Sequence, residues 1–202
     1  LSTDAMMTEI CREVLVPTVD ALRRDGIEFR GVLYAGMMLT PGGPKVLEFN
    51  TRFGDPETQP LMARMQGDLV DILWQTADGT LDQVDVRFDA RAACCVVVCA
   101  EGYPGPYAKG QPISGIDEAE ACAGTDQLVV VFHAGTARKP SGEIVTNGGR
   151  VLGVTALAKT LAEARNLANE AAGKIRFRGA FYRKDIGHRA LGAAPEAPAP
   201  LS

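Results

Sequence analysis

Two short runs of strand-forming residues, joined by a turn rich in glycine and proline, constrain the fold of this chain most. GVLYAGMML at residues 31–39 and KVLEFNTRF at residues 45–53 are each long enough for one strand. TPGGP at residues 40–44 is a turn signal between them. We therefore expect the two runs to pair as a β-hairpin.

Helical patterns flank this hairpin on both sides. Residues 2–24 carry apolar side chains at helical spacing, and Pro17 is expected to kink or split that helix. After the hairpin, Asp55 is a candidate N-cap with Pro56 at the first helical position. An apolar stripe then continues to about Ala77, with a restart at residues 67–68.

The second half of the chain changes to short strands with turn signals between them. Strands are expected at residues 92–99 and 128–134, a hairpin around Asn147-Gly148, and one helix over residues 160–173. The sequence therefore predicts an α+β fold in two parts. The first part spans residues 1–77, residues 78–85 form a linker, a small β-rich, barrel-like domain with one helix spans 86–189, and a disordered tail follows at 190–202.

Composition excludes several classes of protein. The 202 residues carry a formal net charge of −4, with 46% apolar and 23% charged residues, as in ordinary globular proteins. We find no apolar run of membrane-spanning length and no signal-peptide pattern, and therefore expect a cytoplasmic protein without a membrane partner. Residues 159–189 have an excess of basic residues but no nucleic-acid-binding motif, so no nucleic-acid partner is expected. Because the chain opens in a helical pattern without an initiating methionine, we expect it to be a piece of a longer protein.

The cysteines and histidines do not predict a metal site. The five cysteines form no CxxC pair and only two histidines are present, so the usual zinc spacings are missing. Cys94, Cys95 and Cys99 are expected to be structural, within a buried strand. His133 and His188 are likewise expected to have structural roles.

The strand at residues 45–53 carries the candidate chemistry. Side chains alternate along a strand, so Glu48, Asn50 and Arg52 are expected on one face and Leu47, Phe49 and Phe53 on a packed face. A carboxylate and an amide oxygen are suitable ligands for Mg²⁺ in the presence of phosphates, and an arginine binds phosphate or carboxylate oxygens. Spacing alone leaves a second interpretation open, that of a solvated polar face of a sheet.

The same string carries a resemblance to a known family. EFN-x-RFGDPETQP at residues 48–60, preceded by GVLYAGMML, resembles the C-terminal part of the ATP-grasp domain of the phosphoribosylamine–glycine ligase (glycinamide ribonucleotide synthetase) family. The family's C-terminal domain is resembled, in the same order, by GYPGPYAKG (102–110), VFHAGT (131–136), TNGGRVLGVTAL (146–157) and FYRKDIGHRAL (181–191). The fold implied is a partial ATP-grasp subdomain followed by that domain.

This resemblance implies an activity and a set of site residues. The family joins glycine to 5-phosphoribosylamine with ATP as a substrate, through glycyl phosphate, in purine synthesis. The resemblance implies that Glu48 and Asn50 ligate Mg²⁺ or Mn²⁺. It also implies that Arg52, Asp55 and Glu57 contact substrate, with Arg52 catalytic.

The resemblance also indicates what this chain lacks and which alternatives remain. The family's N-terminal domain and its lid do not appear in the 202 residues, so the isolated chain is expected to be inactive. A biotin-carboxylase-type ATP-grasp enzyme is an alternative, disfavoured because FGDPETQP replaces that family's Glu-His continuation. A non-catalytic scaffold domain is the other alternative.

Overall fold

A computed structural model describes residues 4–192 of the chain. These residues form two compact units, each of which contains two separate stretches of the chain. The first unit contains the residues up to 55 together with 66–87, and the second contains 56–65 together with the residues from 88 onward. The sequence instead predicts a single uninterrupted stretch for each part, residues 1–77 and 86–189 with a linker at 78–85. That division remains a prediction.

The first unit consists of helices and one hairpin. Its elements are α1 (Asp4–Ile10), a π-helical turn (Cys11–Leu15), α2 (Val16–Arg24), β1 (Tyr34–Thr40), β2 (Gly43–Asn50), α4 (Leu69–Asp78) and a 3₁₀ turn (Leu81–Gln83). Pro17 is the second residue of α2 and follows the π-helical turn directly, so the backbone hydrogen bond that its nitrogen cannot donate falls where the helix changes type. The change of helix type just before Pro17 agrees with the predicted interruption. The Asp68 carboxylate caps α4 by accepting from the Val70 backbone N–H at 2.8 Å, as expected for the predicted restart.

The predicted hairpin is confirmed, and it contains an irregularity that the sequence did not indicate. Strands β1 and β2 pair antiparallel, starting from Thr40 opposite Gly43 at the turn. Between Gly36 and Met37 the register shifts, so that Gly36 lies opposite Glu48 whereas Met37 lies opposite Val46. Leu47 therefore has no partner residue, which is the pattern of a β-bulge.

The second unit is a four-stranded antiparallel sheet covered by a helix. Its elements are α3 (Thr58–Arg64), β5 (Ala92–Ala100), α5 (Ile116–Glu120), β6 (Leu128–His133), β7 (Thr136–Arg138), β8 (Ile144–Thr146), β9 (Arg150–Ala158), α6 (Leu161–Ala172), β10 (Ala180–Phe181) and a 3₁₀ turn (His188–Leu191). The sheet has the strand order β10-β5-β9-β6, and β7 and β8 form a separate ribbon. Two short strands, β3 (Met65–Gln66) and β4 (Arg87–Phe88), lie where the chain passes from one unit to the other.

The core of the second unit lies between this sheet and α6. Val96, Leu152 and Val154 of the sheet are fully buried with Ala164 and Ala168 of the helix. Helix α6 begins with a capping box, and it confirms the predicted helix over residues 160–173. The Thr160 hydroxyl accepts from the Glu163 N–H at 3.2 Å, and the Glu163 carboxylate accepts from the Thr160 N–H at 3.0 Å.

Three details of the second unit differ from the prediction. The hairpin expected around Asn147-Gly148 is wrong, because β8 pairs with β7 whereas β9 pairs with β5 and β6. Neither Asn147 nor Gly148 has the positive φ that a tight hairpin turn of this kind requires. The barrel-like closure is not confirmed among the described residues. The stretch 86–189 was expected to contain a single helix, and α5 is a second one.

Two arginines, Arg64 and Arg91, bind the segment that leads into β5. Arg64 donates from Nε and Nη2 to the backbone carbonyl of Asp89, at 2.9 and 2.7 Å. The Arg91 guanidinium forms an ion pair with the Asp89 carboxylate at 2.6 Å and also donates to the Asp126 carbonyl. The side-chain hydrogen bonds from Arg91, followed by its backbone N–H, lower the pKa of Asp89 to about 2.

The two units differ in how much of their apolar surface is buried. Within residues 4–192, Ile10 and Ile72 are the buried apolar side chains of the first unit, whereas the others all lie between residues 94 and 175. Leu47, Val70 and Trp74 of the first unit are each more than 60% exposed. Much of the apolar surface of the first unit is therefore uncovered. None of the helices in residues 4–192 has the length and apolarity needed to cross a membrane.

The predicted tail at residues 190–202 lies mostly outside the described residues. Ala190 and Leu191 close the 3₁₀ turn that begins at His188. Residues 193–202 are not described.

Candidate functional site

Glu48 and Asn50 form the centre of the candidate site near the end of β2. Both residues lie on the same strand, and the Asn50 side-chain Nδ2 donates to Glu48 Oε1 at 2.9 Å. This contact places the carboxylate and the amide on one face, as the alternation of a strand predicts. Glu48 is exposed and Asn50 is half-buried, so that the pair is accessible from solvent.

The hairpin register places two further residues beside this pair. Tyr34 of β1 lies opposite Asn50, and Gly36 lies opposite Glu48. Residues directly opposite one another on antiparallel strands share a face of the sheet. Neither neighbour was predicted as a site residue. From the sequence, these neighbours could be found only by counting residues outward from the TPGGP turn along both strands. The bulge at Leu47 makes that count wrong.

Arg52 does not lie on the strand that carries Glu48 and Asn50. Strand β2 ends at Asn50, and Thr51 and Arg52 form a bend. Strand alternation therefore does not extend to Arg52, and its position on the same face as Glu48 and Asn50 stays a prediction. The exposed guanidinium donates from Nη1 to the neighbouring Phe53 carbonyl at 3.1 Å, which uses one of its five N–H groups.

Asp55 and Glu57 lie in the turn that follows, and the boundary between the two units separates them. Asp55 belongs to the first unit and Glu57 to the second, and both side chains are exposed. Helix α3 begins at Thr58 with Glu57, rather than Asp55, in the N-cap position. The predicted helix start at Asp55 and Pro56 is therefore wrong by two residues.

The apolar side chains of residues 45–53 are not packed as predicted. Leu47 is 64% exposed and Phe49 43% exposed, whereas Phe53 is half-buried. Strands β1 and β2 form a two-stranded sheet with no third strand among the described residues. The expected packing of Leu47 and Phe49 against the helices is therefore wrong for the residues that the structure describes.

The donor set at Glu48 and Asn50 fits a divalent cation that is shared with phosphates. With Asn50 Nδ2 bound to Glu48 Oε1, the pair still offers Glu48 Oε2 and Asn50 Oδ1, which are oxygen donors of the kind that Mg²⁺ takes. Among residues 4–192, no three His, Cys, Asp or Glu side chains come together as a metal site. A cation at this pair would need further ligands, and water and substrate phosphates commonly supply them to Mg²⁺.

The histidines and cysteines have local structural surroundings. The His133 Nδ1 lies 3.0 Å from the Thr136 hydroxyl, and the His188 Nδ1 donates to the Asp185 carbonyl at 2.6 Å. Cys94 and Cys99 are buried in β5, and burial raises the pKa of both thiols. A thiol with a raised pKa is a poor nucleophile at neutral pH, which agrees with the structural interpretation of these residues.

Comparisons with known proteins place the two halves of the chain in one family. The family model "Phosphoribosylglycinamide synthetase, ATP-grasp (A) domain" matches residues 1–58. The model "Phosphoribosylglycinamide synthetase, C domain" matches residues 93–189. By these matches, the chain contains part of an ATP-grasp domain followed by the C domain of the same protein class.

Individual relatives agree with the family models. The phosphoribosylamine–glycine ligases of Rhodopirellula baltica and Caulobacter vibrioides are 49% and 50% identical over 95% and 94% of this chain. The crystal structure of phosphoribosylamine–glycine ligase from Thermotoga maritima superposes with a TM-score of 0.76, at 33% identity over 92% of this chain. The chain belongs to the phosphoribosylamine–glycine ligase family, as the resemblance predicted.

The match covers less than half of each relative. The chain spans 43% of the length of both curated ligases and 44% of the Thermotoga maritima chain. The named relatives are phosphoribosylamine–glycine ligases, which favours that family over the biotin-carboxylase-type alternative.

Proposed function

We propose that this chain is part of an ATP-dependent ligase that joins glycine to 5-phosphoribosylamine. The products are glycinamide ribonucleotide, ADP and phosphate, with glycyl phosphate as the intermediate, as a step of de novo purine biosynthesis in the cytoplasm. The partners are small molecules: ATP, glycine and phosphoribosylamine. The observation that carries the proposal is the Glu48–Asn50 pair on a chain that belongs to this family.

Glu48 and Asn50 are the proposed ligands of Mg²⁺ or Mn²⁺. When bound there, the cation would neutralise charge on the phosphates of ATP. The hydrogen bond from Asn50 orients the Glu48 carboxylate before any ligand arrives. Preorganisation of this kind is what makes a charged group effective in a transition state.

Arg52, Asp55 and Glu57 are the proposed substrate contacts, with Arg52 catalytic. Four of the five N–H groups of Arg52 are not used in its contact with the Phe53 carbonyl. A guanidinium can bind two oxygens of a phosphate or carboxylate at once. Arg52 therefore suits the transferring phosphoryl group or the carboxylate that attacks it.

The proposal is tested by completing the chain. This chain would be joined to the remainder of the Caulobacter vibrioides relative, and glycine-dependent ADP release would be measured with phosphoribosylamine present. We expect turnover from the joined protein and none from the 202-residue chain alone. The complete Caulobacter vibrioides ligase is the positive control. A joined protein that folds but releases no ADP would contradict the proposal and favour the scaffold alternative.

A further inference from the structure

The backbone conformation at position 36 does not require a glycine. Its φ lies outside the left-handed region that favours glycine, unlike that of Gly43 in the same hairpin. The bulge does not require it either, because the unpaired residue is Leu47 on the opposite strand. The reason for glycine at this position is therefore to be found in what a side chain there would meet.

A side chain at position 36 would contact Glu48. A Cβ on Gly36 would lie 3.1 Å from Glu48 Cγ and 3.5 Å from the Glu48 carbonyl oxygen. The first distance is shorter than ordinary carbon–carbon contact, which is about 3.5–4.0 Å. Glu48 Cγ would have to move, and this atom sets the direction of the carboxylate that accepts from Asn50.

The bulge is what brings Gly36 to this position. Uninterrupted pairing from Thr40 opposite Gly43 would place Ala35, rather than Gly36, opposite Glu48. Because of the shift at Leu47, Glu48 lies opposite Gly36, which has no side chain, instead of Ala35, which has a methyl group. Space is therefore present on the side of Glu48 that faces β1.

We propose that Gly36 is a positioning residue for the Glu48–Asn50 pair. By leaving this space, it allows the Glu48 carboxylate to lie toward Asn50, in the arrangement that binds a cation. The part of this inference that concerns metal rests on the proposed function, whereas the part that concerns the side chains does not. Metal–oxygen distances tolerate only about 0.2 Å, so a displacement of Cγ by a few tenths of an ångström matters.

The test compares two glycine-to-alanine variants of the same hairpin by NMR on the 202-residue chain. Gly36→Ala adds the methyl group beside Glu48. Gly42→Ala is the matched control, because its methyl group would lie 3.8 Å from the Thr40 hydroxyl, an ordinary contact. The side-chain amide signals of Asn50 report its hydrogen bond to Glu48 without metal. Broadening of the Glu48 and Asn50 signals by Mn²⁺ alone reports cation binding.

We expect Gly36→Ala, but not Gly42→Ala, to shift the Asn50 side-chain amide signals. Gly36→Ala should also raise the Mn²⁺ concentration needed for half-maximal broadening by about tenfold or more, the usual effect of disturbing a group that orients a ligand. In a Glu48→Ala background, which lacks Cγ, Gly36→Ala should produce no further shift of the Asn50 signals.

Each contrary result is decisive. Unchanged Asn50 signals in Gly36→Ala, or the same shift in Gly42→Ala, would overturn the positioning role. So would loss of the β1–β2 signals in Gly36→Ala, since the inference requires that only the Glu48 side chain moves. If Mn²⁺ broadens neither signal in the unsubstituted chain, the metal-binding part of the proposed function fails, and the metal-free Asn50 shift still decides the role of Gly36.

Discussion

The Asn50 side-chain amide donates to Glu48 Oε1 at 2.9 Å, within a single strand. This hydrogen bond orients the two side chains toward one another in the absence of a ligand. The pair lies on a hairpin of the first unit whose apolar side chains Leu47 and Phe49 are exposed, whereas the second unit has a well-buried core. These two properties lead to distinct predictions for stability and for activity.

The first prediction concerns the apolar side chains of the hairpin. Phe49 is 43% exposed and Leu152 fully buried. Because little packing is lost at an exposed side chain, Phe49→Ala should lower the free energy of unfolding by less than about 1 kcal/mol, whereas Leu152→Ala should lower it by about 2–5 kcal/mol. Urea unfolding of both variants measures this. Equal losses would mean that the outer face of the hairpin is covered in solution.

How much of the molecule the sequence predicts depends on how local the signals are. The turn at TPGGP and the capping box of Thr160 with Glu163 act within a few residues, and both elements form as predicted. The Asn147-Gly148 signal is equally local, but β8 pairs with the preceding strand β7 across residues 139–143, and β9 pairs with β5 and β6 of the sheet, so the longer-range pairing of β9 overrides the signal. Local signals determine which helices and strands form, whereas the pairing of a strand also depends on the rest of the fold.

The candidate site shows the same division. The shared face of Glu48 and Asn50 follows from the period of a strand and was predicted. The end of β2 at Asn50 was not, because Thr51 and Arg52 contain no turn signal and the first strong breaker is Gly54. The bulge at Leu47 also has no local signature, and it alone determines that Gly36 faces Glu48.

The second prediction concerns the pH dependence of stability. The pKa of Asp89 is lowered in the folded state to about 2, from an ordinary value of 3.8. A lowered pKa stabilises the folded state above the unfolded value, and this stabilisation is lost as the pH falls through the folded value. The free energy of unfolding should therefore fall between about pH 4 and pH 2, and Asp89→Asn should make this dependence shallower.

Denaturant unfolding of the chain at a series of pH values measures this dependence. Glu143→Gln is the control, because Glu143 forms an exposed ion pair with Lys139 in the same unit, and such pairs contribute little. If Asp89→Asn retains the full pH dependence of the unsubstituted chain, the Arg91 contact does not stabilise the fold.

The third prediction concerns Arg52 in the joined ligase. Arg52→Lys keeps the charge but loses the planar pair of donors that binds two oxygens at once. The KM for the anionic substrate that it contacts should rise by about tenfold, equivalent to ~1.4 kcal/mol. Arg24→Lys, at an exposed position on α2, is the control and should leave every KM unchanged. An unchanged KM for ATP, glycine and phosphoribosylamine in Arg52→Lys would remove Arg52 from the substrate site.

The final prediction concerns Glu48, because the metal role of this residue is the basis of the proposed function. Glu48→Gln keeps the size of the side chain but removes its charge. In the joined ligase, kcat should fall by at least about 100-fold, since one preorganised charge in a transition state contributes ~3–4 kcal/mol. The free energy of unfolding should be nearly unchanged, because Glu48 is exposed. Glu13→Gln, another exposed glutamate of the first unit, is the control.

The most direct measurement is steady-state kinetics of Glu48→Gln during a titration with Mg²⁺. A lower kcat together with a higher Mg²⁺ requirement is the predicted result. A Glu48→Gln ligase with unaltered kcat and unaltered Mg²⁺ dependence would contradict the assignment of Glu48 and Asn50 as the metal site.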